Sequence, residues 1–452
     1  MARSSSGMLS TRAWWPRRSS SFDDFVLHAP SRLFSSHALG CMAAWEWAPS
    51  ADAVHVHLPG SAAGNMVKAL AVDVWTEGRV FVGLESGALR AHRATGELER
   101  ELLPASADSA VLCLLVHERV LWSGGRDRLI NCFSLERGRA CPHTRTLRGH
   151  FAAVKGLYAS GATNRVWSLS EDRTLRCWRA ANGTLVLLIR STEFLMLCAA
   201  VSTHRPCAVS AESSCIAVYR TSDGTRTALL EGHIGVVWAL LTHGDHVYSG
   251  GEDGTVRIWS LANDTCLHIL RGHKRRVTSL ALSRDGSTLF SAGDGSVRAW
   301  RTDTGECTLI MLSPGGAAVR SLAVSQDGAL LFAGGADAVV RQYSTCDGAL
   351  LCEHVGHTDS VHVQALSPTG QLWSGSYDGD ARGWLVQLPW QWTRENHPLW
   401  PPAFRAATRA FLCCVMRSDC AAHALAVGGI DTRGALLDAV FSMLAASIKR
   451  TG

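Results

Sequence analysis

The chain repeats itself about every 41 residues, and that period restricts its possible folds more than any other property of the sequence. The clearest copies are residues 167–178 (WSLSEDRTLRCW), 247–259 (VYSGGEDGTVRIW) and 373–384 (WSGSYDGDARGW). Each is a short apolar run, a Ser, a turn closed by Asp, a second strand and a Trp. Weaker copies end at His92, Phe133, Tyr219, Trp300 and Tyr343, so eight end points follow one another at 41, 45, 41, 40, 41, 43 and 41 residues. A Gly-His pair stands 26 to 28 residues ahead of the Trp in four copies, at His150, His233, His273 and His357. A repeat this short cannot bury its own apolar face, so its copies must stack on one another.

Within the fifth copy the pattern predicts four strands. Residues 234–241 form the first, with a His243-Gly244-Asp245 turn, and 246–250 the second, with an Asp253-Gly254 turn. Residues 255–260 form the third, and 266–271 the fourth, before Gly272-His273. Runs rich in β-branched and aromatic residues, bounded by Gly, Asp and Asn, are the marks of short antiparallel strands. With its Gly-His and Trp marks, the repeat resembles the WD40 family of β-propellers over roughly residues 53–388. The resemblance implies an all-β propeller, four strands to a blade, with eight blades and seven as the alternative. A seven-blade ring would leave one weak copy outside, and residues 209–219, without Gly-His or turn Asp, are the most irregular. The strand 53–58 precedes the first copy. It is expected to pair with the last blade, whose own strands end at Trp384, closing the ring and covering an exposed edge.

Ser249, His233 and Asp253 share one repeat and imitate a catalytic triad. The same set recurs as Ser168, His150 and Asp172 with Trp178, as Ser291, His273 and Asp294 with Trp300, and as Ser374, His357 and Asp378 with Trp384. An enzyme needs one nucleophile in one cleft, so four equivalent sets argue for a structural device. The family resemblance implies one hydrogen-bonded chain per blade, from Trp259 through Ser249 and His233 to Asp253 and likewise in the other three. Three repeats depart from this pattern. The seventh has Asp337 but Ala333 and Tyr343, the second has Ser123 and Asp127 but Phe133 and no Gly-His, and the first puts Ser86 at the turn. These blades are expected to depend on strand pairing and apolar packing alone. No phosphate-cradling loop, His-Glu-x-x-His or nucleophile elbow is present, so no enzyme and no cofactor are expected.

Residues 1–50 differ from the rest, with Ser4-Ser5-Ser6 and Ser19-Ser20-Ser21 among Arg3, Arg12, Arg17 and Arg18 and no acid before Asp23. They read as a disordered tail or an organelle transit peptide, which leaves a cytoplasmic or an organellar location open. Residues 51–388 form the propeller, and 389–452 a Pro/Trp-rich connection followed by two short helices. Phe404, Ala407, Phe411 and Val415 share a face of the first helix, and Leu437, Val440, Phe441 and Leu444 a face of the second. The helices are expected to cap the propeller or to dock into a partner.

Fifteen scattered Cys fit reduced, buried thiols, and Cys413, Cys414, Cys420 and His423 miss the usual zinc spacings, so no metal is expected. A net charge of +5, almost all of it Arg and spread along the chain, does not call for nucleic acid. The longest apolar stretch, 185–201, is interrupted by Arg190 and Glu193 and reads as strands, with no transmembrane helix.

In an antiparallel four-stranded blade, the loop before the first strand and the turn after the second emerge on one side. That rim gathers Phe151, Ile234, Lys274, Arg275, Arg276 and Thr358 beside the Gly-His positions, and Arg126 and Tyr377 before turn Asp residues. The expected function is therefore a non-catalytic protein-interaction scaffold, its rim suited to acidic or phosphorylated peptides. The alternatives are a substrate receptor of a ubiquitin ligase and an RNA- or ribosome-associated propeller. Against the first, Trp178, Trp259 and Trp300 are followed by Arg179, Ser260 and Arg301 rather than Trp-Asp-x-Arg, and residues 1–50 do not read as an F-box.

Overall fold

The computed structural model describes residues 65–384 and 386, apart from 74–78, 104–108, 136–140, 161–163, 192–193, 203, 368–370 and 385, together with the strands Arg32–Ser36, Met42–Glu46 and Val56–Leu58. The expected C-terminal helices and the Cys413, Cys414, Cys420 and His423 group lie outside these residues. Arg32–Ser36 and Met42–Glu46 pair antiparallel, within a unit separate from the propeller.

Eight four-stranded antiparallel sheets follow one another along the chain. Seven take all four strands from consecutive residues, at 67–103, 111–147, 154–190, 196–230, 237–271, 279–312 and 319–355. The eighth takes three strands from 361–384, and its outer strand is Val56–Leu58, paired antiparallel with Ala381–Trp384 so that His57 lies opposite Arg382. The closing strand predicted at 53–58 is thus present, described over Val56–Leu58. The eight-blade reading holds, and the fourth copy is no stray: Met196–Val201, Cys207–Glu212, Cys215–Arg220 and Arg226–Leu230 make a regular blade.

In the fifth blade the strands are Val237–His243, His246–Gly251, Thr255–Ser260 and Thr265–Arg271. The first starts three residues later than the sequence pattern predicts. Ile234 spends its N–H on Asp253, and Gly235 turns the chain with φ 95°. The turn after Asp253 requires a left-handed residue. Gly254 supplies it at φ 71°, whereas Arg173 is forced to φ 63° at the same point of blade three, a cost of about 1–2 kcal/mol for a residue with a Cβ.

The apolar core is divided among the gaps between blades. Trp259 packs with Val209, Val218 and Leu230 of blade four, Trp178 with Trp122 and Ile130 of blade two, and Trp300 with Tyr248 and Ile258 of blade five. The ring-bearing residue of the third strand therefore seals each of these blades to its predecessor, and Tyr219, Tyr343 and Phe133 do the same in their own blades. Between blades seven and eight, buried Gln342 and His354 take the places held by Ile258 and Leu270 in blade five. There His354 packs its ring 5.3 Å from that of Trp384.

In seven blades the first strand carries a β-bulge near its start, at Lys68, Leu112, Lys155, Leu197, Trp238, Arg320 and His362. A bulge re-aims a side chain and sharpens the local twist. Backbone bonds also cross from blade to blade at this level: Val277 N–H to Gly251 and Val237 N–H to Ser213, each at 2.9 Å. The rim loops of neighbouring blades are thereby held in one row.

Candidate interaction surface

The rim is built on the four Trp–Ser–His–Asp sets, which the structure brings together. Trp259 Nε1–H donates to Ser249 Oγ at 2.8 Å, and the Ser249 hydroxyl donates to His233 Nε2 at 2.8 Å. His233 Nδ1–H then donates to Asp253 at 3.1 Å, since a carboxylate only accepts. The same three links measure 2.8, 2.7 and 2.9 Å through Trp178, Ser168, His150 and Asp172. Trp300, Ser291, His273 and Asp294 give 2.8 Å at every step, and Trp384, Ser374, His357 and Asp378 give 2.6, 2.8 and 2.9 Å. In each set the Asp also accepts the N–H of the residue after the His: Phe151, Ile234, Lys274 or Thr358, at 2.6 to 2.9 Å. The chain thus ends by fixing the rim loop itself.

Burial alone would raise these carboxyls. In Asp253, Asp294 and Asp378 the bonds from backbone N–H groups, hydroxyls and imidazoles outweigh it and bring each down to about 2. Asp172 is likewise held below the usual carboxylate range, despite its burial, by His150, Thr174 and the Phe151 N–H. Burial lowers His233 and His273, an effect their carboxylates only partly offset. A Ser hydroxyl that already accepts from Trp and donates to His, fully buried under the blade, has no route to a substrate carbonyl.

Sequence reasoning missed several supports. A hydroxyl two residues after the Asp donates to it, from Thr174 at 2.5 Å, Thr255 at 2.8 Å and Ser296 at 2.9 Å. The recurring Asp-x-Thr/Ser spacing was the available signal. Blade four replaces the set with buried Glu212, which accepts from Ser210 (3.2 Å), Tyr219 (2.5 Å) and Ser191 (2.9 Å), the last from the loop before the first strand. In blade seven Arg341 bridges Asp337 (2.6 Å) and Glu353 (2.9 Å). In blade one Asn65 accepts the Ser86 N–H at 2.8 Å. Blades one and seven therefore do not depend on strand pairing and apolar packing alone. Each has substituted a polar tie of its own.

On the rim, Phe151 and Ile234 are 74% and 81% exposed, and Thr358, Lys274, Arg275, Arg276 and Arg126 are exposed as well. Tyr377 is half-buried, its ring against His362 and 4.6 Å from Lys68 Nζ. The bulge residue Trp238, 42% exposed, lies under the Arg276 guanidinium at 5.3 Å. Phe194 and Leu195, in the loop before the first strand of blade four, add exposed apolar area that the repeat pattern did not mark. Lys155 is neutralised by Glu171 at 2.9 Å and Lys68 by Glu85 at 3.5 Å. Among the described residues no carboxylate pairs with Lys274, Arg275 or Arg276, and no His/Cys/Asp/Glu cluster suits a metal. No helix among them is long and apolar enough to cross a membrane. Burial pushes the thiols of Cys113, Cys132 and Cys198 up to about 12, which keeps them unreactive.

Comparison with known proteins agrees with this geometry. The WD40 family profile (WD domain, G-beta repeat) matches residues 224–260, 264–301, 305–344 and 348–384. WD repeat-containing protein pop2 of Schizosaccharomyces pombe is 25% identical over 51% of this chain and 31% of its own length. Cell division control protein 4 of Candida albicans is 37% identical over 19% of this chain and 13% of its own, and the F-box/WD repeat-containing protein sel-10 of Caenorhabditis elegans 33% over 20% and 16%. The match thus spans less than a third of each of these relatives. The crystal structure of the computationally designed Ika8 protein superposes with a TM-score of 0.63 at 24% identity, covering 73% of this chain and 98% of that one. Eight closed blades, four complete Trp–Ser–His–Asp chains and the profile match make this protein a member of the WD40-repeat β-propellers.

Proposed function

We propose that the protein is a non-catalytic scaffold that docks an acidic or phosphorylated protein segment on the Gly-His rim. One observation carries this reading: Lys274, Arg275 and Arg276 stand exposed without an ion-pair partner among the described residues, Arg276 lying over the exposed ring of Trp238. Cations beside a rigid aromatic anchor are the composition of an interface centre, and Arg donors suit carboxylate and phosphate oxygens. The fourfold repetition of the Ser–His–Asp set supports a structural role for it over a catalytic one.

The F-box/WD name of one relative favours, as a second reading, a receptor that presents substrates to a ubiquitin ligase. Affinity isolation of the full-length protein at low and high salt, followed by mass spectrometry, tests both. Salt-sensitive capture of proteins with acidic or phosphorylated segments supports the rim scaffold. Capture of ligase subunits supports the receptor, and capture that salt leaves unchanged contradicts docking through exposed cations.

A further inference from the structure

Blade six has an outer edge unlike the others. Its fourth strand, Cys307–Leu312, reads CTLIML, a run without a single charge. The fourth strands of the other six blades built from consecutive residues each hold at least one charged side chain: Glu99, Arg145, Arg190, Arg226, Arg271 and Glu353. Charges on an edge strand keep one sheet from adding to another, and an uncharged apolar edge lacks that guard. Ile310 and Leu312 are 54% and 69% exposed, Leu312 more than any other large apolar strand residue of those seven blades. Among the described residues no strand lies beyond this one in its sheet.

The register shows which backbone groups this edge leaves open. Arg298 lies opposite Ile310 and Ser296 opposite Leu312 in the third strand. The Ser313 N–H donates inward to the Gly295 carbonyl at 2.8 Å. Backbone groups alternate in direction along an antiparallel ladder, so Met311 and Leu309 also turn inward, and the N–H and C=O of Ile310 and Leu312 point outward. The side chains alternate as well. Met311 is buried in one cluster with Phe290, Leu331 and Tyr343, while Thr308, Ile310 and Leu312 share the opposite, exposed face.

We propose that this strand is a dimerisation edge, which a second copy of the chain extends by antiparallel pairing about a two-fold axis at Ile310. Main-chain hydrogen bonds across an open edge give such a contact its affinity. The axis makes Ile310 its own hydrogen-bonded partner and sets Leu312 against Thr308, and Leu309 against Met311, of the second copy. Two blades then form one eight-stranded sheet. A second copy fits as the occupant because every position brought together is apolar or a threonine, with no like charge across the axis. The axis also turns blade five of each copy toward blade five of the other, and blade seven toward blade seven. Their fourth strands expose Leu267 and Ile269, and Leu350 and Val355, so apolar surface continues on both flanks. The pairing consumes the open edge on both chains, so assembly stops at two. It uses no residue of the Gly-His rim, so this dimer and the rim docking stand or fall separately.

The test is sedimentation equilibrium of the full-length protein over about a hundredfold range of concentration, at low and at high salt. The weight-average mass is expected to rise with concentration toward twice that of the monomer, and to do so at both salt levels, since no ion pair holds the edge. Ile310→Lys sets two ammonium groups opposite each other and is expected to weaken the dimer at least about tenfold with an unchanged circular dichroism spectrum. Ile310→Cys gives a second readout. Hydrogen-bonded antiparallel partners stand about 5.5 Å apart at Cα, within disulfide reach, so mild oxidation is expected to join two chains through the introduced thiols, a link mapped by mass spectrometry. Val186→Cys, also exposed but on the outer strand of blade three, is expected not to link to itself. A mass that stays at one monomer throughout, a dimer that high salt dissolves, assembly beyond two chains, or an Ile310→Lys dimer as tight as wild type overturns the proposal. So does Ile310→Cys cross-linking no faster than Val186→Cys, a comparison that holds even if Ile310→Lys fails to fold.

Discussion

At Ser249 a donor and an acceptor converge on one hydroxyl that is shielded from water, and this small junction favours a structural role for the constellation. Ser249→Ala leaves the Trp259 N–H and His233 Nε2 unpaired at about 1–3 kcal/mol each, so chemical unfolding is expected to show a loss of about 2–6 kcal/mol. Activity against generic ester and peptide substrates is expected to stay at background in both proteins; turnover that disappears with this substitution would restore the triad. Glu212→Ala is expected to cost about as much, since it strips partners from Ser191, Ser210 and Tyr219. The titrating groups give the fold an acid-sensitive profile with a definite sign. His233 and His273 have lowered pKa values in the fold, so the unfolded chain takes up their protons first and stability falls as pH drops below about 6.5. Asp253, Asp294 and Asp378, at about 2 when folded, contribute stability that is complete above about 4 and lost as pH falls toward 2. Thermal midpoints recorded from neutral pH downward should fall through both windows, and Asp253→Asn should flatten the lower one.

At the scale of the blade, the complete sets and their substitutes rank the elements. Blades one, four and seven replaced the missing members with Asn65, Glu212 and Arg341, whereas in blade two Ser123 Oγ has no partner among the described residues. Hydrogen exchange on the intact protein is expected to find the second strand of blade two, Val120–Gly125, less protected than Leu330–Gly335 of blade seven. Equal protection, or the reverse order, would show that these polar ties do not govern local opening. The strand order, the closing strand and the blade count were legible in the sequence because Gly-His, turn Asp and Trp recur at nearly fixed intervals. The substitutes were not, because each is a one-off solution whose partners are joined only by folding. Ser191 and Tyr219 stand 28 residues apart, and nothing in their spacing points to Glu212 as the carboxylate that joins them. The β-bulges that re-aim Trp238 and its counterparts were equally hidden, since the alternating pattern reads through them.

At the scale of the molecule, radial repetition distributes the core over the gaps between blades and leaves the rim loops fixed from beneath by the Asp carboxylates. Such a surface is held rigid, and the cations of blade six, which pair with no carboxylate among the described residues, give it a sign. Rim substitutions should change what the protein holds and leave its stability alone, since exposed loop changes usually shift it by less than about 0.5 kcal/mol. The most direct measurement is quantitative co-purification with Arg275→Glu/Arg276→Glu beside wild type, with melting temperatures taken on the same preparations. Loss of the captured proteins at an unchanged melting temperature is the predicted result; recovery of the same proteins in the same amounts would contradict the assignment of the rim as the docking face.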